Sequence, residues 1–236
     1  MSDQIVSRII PNQVAPINER LILEEVIEKY PSRFLRFYLA LKNRAGQMTP
    51  ELLVRLLKNW KPQSILEIGT GYGVMAHYFS HRYPEARVLG VDLNEKRIVT
   101  AQATVKGRSG IEFRHENILT LPEESYDLLV MQDVIHHVGL GNQELLIAKT
   151  WRLLRPGGRL LLRDIDGDRL VGTFNAFIWD LVLNWERCHF VAKASLQAMF
   201  SKAGYKHVEV FPDYPHSPIF PYVTCIAHKE NHAVTE

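Results

Sequence analysis

Three glycines in five positions, Gly69, Gly71 and Gly73 of "LEIGTGYG", follow a short apolar run and precede a helical pattern. A strand ending in such a turn offers unpaired N–H groups and the positive end of a helix to a ligand. Asp92 closes the next apolar run, "RVLGVD", where a carboxylate can accept both hydroxyls of a ribose. The same carboxylate can also cap the helix that begins near Glu95. Loop and acid together imply an adenosine-containing ligand, and both a dinucleotide and S-adenosylmethionine satisfy them. Further along, His136 and His137 follow the run "YDLLVMQ", and imidazole titrates where a general base must. Asp164 and Asp166, at the end of "RLLLRDID", compete for that role, although Asp164 can equally pair with Arg163, Arg169 or a backbone cap. His189 is a third histidine in the same region.

These residues need a scaffold that brings strand ends to one edge. From Ser64 onward, short β-type runs alternate with helical patterns. "SILEI" precedes "VMAHYFSHRY", "RVLGVDL" precedes "EKRIVTAQATVK", "IEFRH" follows, and "YDLLVMQ" precedes "NQELLIAKTWRLL". "PGG" at 156–158 breaks that last helix before "GRLLLRDI". Such alternation makes a parallel sheet with helices on both faces. Later come "ASLQAMFSKAGY", "KHVEVF" and, after a Pro-rich link, "YVTCIAH". Residues 1–60 read as a helical cap, with "TPELLVRLLKNW" started by Thr49 and Pro50. Residues 61–230 form the main domain, and about 168–193 interrupt it with a strongly apolar insertion.

Four features separate the two ligands. The glycine spacing is GxGxG and not the GxGxxG of dinucleotide sites. Glu67 stands just before that loop, a polar cluster ends the fourth strand, and "LLRPGGRLLL" joins a helix to the fifth. "NILTLP" lies between strands three and four. With these motifs in this order, roughly residues 50–228 resemble a class I S-adenosylmethionine-dependent methyltransferase of the small-molecule group, similar to quinone-biosynthesis enzymes. The resemblance implies a Rossmann-like, seven-stranded, mostly parallel sheet, with an N-terminal helical cap and a helical lid after strand five. It implies that Glu67, Gly69, Thr70, Gly71 and Gly73 cradle the methionine part of S-adenosylmethionine. Asp92 would hold the ribose, and Leu93 and Ile118 would flank the adenine. Asn117 stands where the family carries an acid toward the adenine amino group. Gln132 and Asp133 would lie near the methionine amino and carboxylate groups.

Methyl transfer from a sulfonium is an in-line displacement, and it needs aligned reactants in a dry site. Phe174, Phe177, Ile178, Leu181, Val182 and Trp185 share one helical face of the insertion, and Phe34, Phe37, Tyr38 and Leu41 share one near the N-terminus. Both stripes can cover an acceptor, or can simply pack on the sheet. By the resemblance they form a lid over a hydrophobic or aromatic acceptor, methylated on oxygen or carbon. For a hydroxyl acceptor His137 is placed first as base, ahead of His136 and Asp166.

Composition narrows the classes. The formal charge of +2 carries no basic tail, which argues against a nucleic-acid partner. The Asn/Asp-Pro-Pro-aromatic motif of base-amino methylation is also absent after strand four. Cys188 and Cys225, the two cysteines, fit neither a disulfide framework nor a metal site. A cytoplasmic location is expected, because no signal peptide or long apolar span is present. The amphipathic "RFLRFYLALKNR" leaves membrane contact open. Two other readings stand: a non-catalytic protein that binds S-adenosylmethionine, and an NAD-dependent oxidoreductase. The oligomeric state is not legible in these residues.

Overall fold

The computed structural model describes residues 19–44, 57, 60–169, 173, 188–211 and 221–231. Seven strands form one sheet: β1 (Ser64–Ile68), β2 (Arg87–Asp92), β3 (Ile111–His115), β4 (Tyr126–Gln132), β5 (Leu154–Ile165), β6 (His207–Phe211) and β7 (Tyr222–His228). Their order is β3-β2-β1-β4-β5-β7-β6. The first five are parallel to their neighbours, and β7 runs antiparallel between β5 and β6. The strand order reverses at β1, with β2 and β3 added on one side and β4 and β5 on the other. In parallel sheets the crevice beyond the strand ends at that point is where ligands bind.

The period of two along each strand explains the two-sided core. Ile65, Val88, Leu128, Val130 and Leu161 face one way, and Leu66, Leu89, Leu129, Met131 and Leu162 the other. Against the first face pack α1 (Glu19–Glu28), α3 (Val74–Arg82) and α4 (Glu95–Ala103). Against the second pack α5 (Leu140–Leu153) and α6 (Lys193–Ala203). Leu23, Val26 and Ile27 recur at helical spacing in α1 and are buried with Tyr30, fastening the helix to the sheet layer.

α2 (Arg33–Arg44) differs from expectation in which side it turns inward. Leu39 is buried, while Phe37 and Leu41 are exposed at 67% and 42%. The boundaries of β1 and β4 are those the alternation gives. β5 starts earlier than its pattern suggests, at Leu154, so pairing with β4 begins before the Pro-Gly-Gly turn and skips register between Tyr126 and Leu128. Asp92 does not cap α4. Asn94 does, its side chain accepting from the Arg97 N–H. The expected helix at 49–60 lies outside the described residues apart from Leu57 and Trp60, as does most of the expected lid, 170–187 except Thr173. Among the described residues no helix is long and apolar enough to cross a membrane.

Candidate active site

One cavity of about 1380 Å³ opens along the ends of β1, β2 and β4. Its lining includes Glu67, Gly69, Thr70, Gly71, Asp92, Leu93, Asn117 and Ile118 from the β1, β2 and β3 ends. It also includes Phe34, Leu35, Tyr38 and Lys42 of α2, Gln132, Asp133, His136 and His137 beyond β4, and Tyr222.

The glycine loop is shaped by backbone. Gly71 has φ +56° and an added Cβ would meet nothing within 4 Å, so its side faces open space that a ligand can fill. Gly73 has φ +84°, and a Cβ there would lie 2.4 Å from the Phe113 ring, so only glycine fits. The loop is pinned by Thr70 N–H to Val91 O (3.0 Å) and, from the segment just after α1, by the Tyr30 hydroxyl to Tyr72 O (2.6 Å). The Asp92 carboxylate crosses to it, Oδ2 accepting from Gly71 N–H at 2.7 Å and Oδ1 from Asn94 N–H at 2.8 Å. An ionised carboxylate has about four acceptor positions, so each oxygen can take a further donor such as a ribose hydroxyl. Asp92→Ala should therefore weaken binding of the demethylated cosubstrate, S-adenosylhomocysteine, by about ten- to a hundred-fold. Calorimetry on a folded variant checks this, and unchanged affinity would remove Asp92 from the site.

Glu67 is buried beneath the loop and accepts from the Thr70 hydroxyl at 2.5 Å. Burial pushes its carboxyl up to about 8, against hydrogen bonds from Thr70 and Ala76 and with the nearby Asp92 charge adding to the rise. A cationic ligand stabilises the ionised form and so lowers that value on binding. The sign follows: affinity should rise as pH climbs toward about 8, by at most about tenfold per unit, with a proton released. Calorimetry of S-adenosylmethionine between about pH 6 and 7.5 should show both effects, and Glu67→Gln should flatten the profile.

Asn117 caps a 3-10 turn, its side-chain oxygen accepting from Leu119 N–H at 3.0 Å. Leu93 is 69% exposed at the cavity rim. Asp133 has φ +54°, rare for a residue with a side chain, and its N–H donates to Arg163 O at 3.0 Å. Its Oδ1 is buried without a hydrogen-bond partner, and burial raises its carboxyl despite Lys42, Arg163 and His136 nearby.

The two histidines occupy a short 3-10 turn, Ile135–His137, with ring centroids 4.0 Å apart. Asp164 sits beneath it. Its Oδ2 accepts from Val134 and Ile135 N–H at 2.9 Å each, and its Oδ1 meets His136 Nδ1 at 2.5 Å. Burial opposes the charge on Asp164, but His136 and these backbone donors hold its carboxyl below the usual range. Pattern reading allowed a backbone cap for Asp164 and missed its pairing with His136. His136 is itself buried, whereas His137 is partly exposed toward the cavity. Asp166 is the correction. Its buried carboxylate pairs with Lys193 Nζ at 2.6 Å and Arg169 Nε at 3.8 Å, and it does not line the cavity. His189 contributes its backbone, donating to His136 O at 2.6 Å. Gln143, which no motif marks, reaches Ile135 O, Val138 O and His189 O within 3.1 Å and ties the two segments together.

A family model for a methyltransferase domain matches residues 65–158, the stretch from β1 to the turn in β5. Residues 65–158 thus carry a methyltransferase domain, and the chain is similar to class I S-adenosylmethionine-dependent methyltransferases. Phosphoethanolamine N-methyltransferase of Plasmodium falciparum is 34% identical over 102 residues, 42% of this chain and 38% of that protein. The matched stretch spans 29–38% of the length of the first curated relatives. Among solved structures, an S-adenosylmethionine-dependent methyltransferase of Methanosarcina mazei superposes with TM-score 0.60 at 18% identity. It covers 78% of this chain and 99% of that one. A Haemonchus contortus phosphoethanolamine methyltransferase, solved with phosphomonomethylethanolamine and S-adenosylhomocysteine, gives 0.62 at 15% identity, over 77% and 52%. These likenesses match the seven-stranded, mostly parallel sheet of this chain. The glycine cradle and Asp92 of its cavity fit the cosubstrate of the family.

Proposed function

We propose that this methyltransferase transfers a methyl group from S-adenosylmethionine to the oxygen, or a carbon, of a small, largely apolar acceptor. The observation that carries the reading is the continuity of the cavity. At about 1380 Å³ it exceeds the roughly 300–1,000 Å³ of a single-ligand pocket. The glycine loop and Asp92 share its lining with Phe34, Leu35, Tyr38 and Tyr222, which offer apolar and aromatic surface. The cosubstrate supplies an electrophilic methyl on a sulfonium. This chain's residues orient the two reactants and keep water away, so that charge disperses in a dry site. His137, on the turn that Asp164 fixes, takes the acceptor's proton.

A second reading, an amine acceptor, is favoured by one observation. Asp133 presents a buried Oδ1 without a hydrogen-bond partner in the cavity wall, suited to an ammonium group. Such a group could belong to the cosubstrate's methionine or to the acceptor. Incubating the protein with methyl-labelled S-adenosylmethionine and a fractionated metabolite pool separates the readings. A labelled ether or carbon product supports the first and a labelled amine the second. No labelled product from any pool, with S-adenosylhomocysteine still bound, would leave a non-catalytic binding protein.

A further inference from the structure

His136, His137 and Cys188 each bring one ligand-type atom into a group whose members all lie within 4.8 Å of one another. His137 Nδ1 and Cys188 Sγ are 3.9 Å apart. Around a tetrahedral zinc ion, bonds of about 2.0–2.3 Å put ligand atoms roughly 3.3–3.7 Å apart. The three atoms need to draw together by at most about 1.5 Å. Two imidazoles and a thiolate are also the donor set that zinc-class ions select over magnesium or calcium.

The surroundings support the arrangement independently. Asp164 meets Nδ1 of His136 at 2.5 Å, which fixes the ring's orientation and the tautomer with its lone pair on Nε2. A carboxylate behind a histidine is the usual outer partner of a metal ligand, and it raises the ring's basicity. The segment carrying Cys188 is held to the turn carrying the histidines at two points: His189 N–H to His136 O, and the Gln143 amide reaching both sides. Phe190 stacks on His136 with centroids 5.6 Å apart. The cluster is thus assembled by fixed backbone and is not a chance meeting of long side chains. Both histidines line the cavity, so a fourth coordination position would open toward it.

We propose that His136, His137 and Cys188 form a binding site for a divalent transition ion of the zinc class, with Asp164 as the orienting partner. On binding, the Cys188 thiol releases its proton to solvent and the sulfur coordinates as thiolate. A ring coordinated through Nδ1 carries its proton on Nε2 and cannot accept another. Occupancy therefore withdraws His137 from proton transfer and switches the enzyme off, a consequence that rests on the role proposed for His137 above.

Cobalt(II) is the probe, added to protein carrying His207→Ala. That change removes a second, exposed group, His207, Glu209 and His228, on the sheet edge. One equivalent should give intense tetrahedral d–d bands and a thiolate-to-cobalt charge-transfer band in the near ultraviolet. Zinc should displace both. Cys188→Ser should abolish the charge-transfer band and weaken binding by more than the roughly 10–100-fold cost of losing an outer partner. Cys225→Ser should change neither. Alkylation of the wild-type chain, read peptide by peptide, should show zinc protecting Cys188, which keeps the test open if the serine variant folds poorly. Weak octahedral bands, a charge-transfer band that survives Cys188→Ser, or no protection of Cys188 overturns the site. If the spectra hold but zinc leaves turnover unchanged, the site stands and the role of His137 as base falls.

Discussion

Replacing His137 by alanine should lower turnover by about 10²–10⁴-fold, the usual cost of a lost general base. Binding of S-adenosylhomocysteine should stay nearly unchanged, because Asp92 and the glycine-loop backbone, which hold the cosubstrate, are left intact. Only neutral imidazole can accept a proton, so wild-type turnover should fall on acidification as the ring takes one up. The variant should lack that limb. His136→Ala acts differently, since His136 is buried on Asp164 and supports the turn. Its loss should cost stability along with activity. Initial rates at saturating cosubstrate across pH make the comparison. Near-normal turnover of His137→Ala would mean that the acceptor arrives already ionised, or that no deprotonation is needed.

Asp164→Ala should be the most destabilising change near the site. Both oxygens are engaged, with Val134, Ile135 and Ile165 N–H groups and the His136 ring all within 2.9 Å. Removing one member of a buried pair costs about 3–5 kcal/mol, because the partners stay behind without acceptors. Urea midpoints should show this, and Asp164→Asn should recover part of it by keeping one acceptor. The pH dependence follows from a carboxyl held below its ordinary range. The stabilisation is present above an ordinary aspartate value of about 3.9 and fades as pH falls through the lower folded value. The gap between wild type and Asp164→Ala should therefore close only in strong acid. A midpoint unchanged at neutral pH would show that the turn stands without its acid.

How much of this was legible in the sequence depends on distance along the chain. "SILEI" and "YDLLVMQ" became β1 and β4 with the boundaries their patterns give, because a parallel strand buried on both faces is a continuous apolar run. Gly69, Gly71, Gly73 and Asp92 were legible because loop and acid belong to consecutive β–α units. The pairing of His136 with Asp164 was not. It joins the ends of β4 and β5, and only their registered pairing, Gln132 opposite Arg163, brings those ends together. Asp166 is two residues further along, where a single bridge to Val191 and the Lys193 ammonium turn it aside. In α2, Phe37 looked like a cavity residue because period alone fixes a stripe but not its direction. Tertiary placement kept Phe34 and Tyr38 of that stripe at the cavity, added Leu35 and Lys42, and left Phe37 and Leu41 out of its lining.

The position of β7 has a consequence for synthesis on the ribosome. The strand that lies between β5 and β6 is the last of the seven to be made, so neither neighbour can pair on that side until residues 222–228 emerge. Until then the nascent sheet exposes the long apolar edge of β5, a template for pairing with other chains. Folding of the sheet should therefore finish only once residues 222–228 have left the ribosome, and a ribosome stalled before Tyr222 should hold a chain that proteases still cut in β6. Moving the same stall far enough past His228 to clear the exit tunnel should bring protection in a single step.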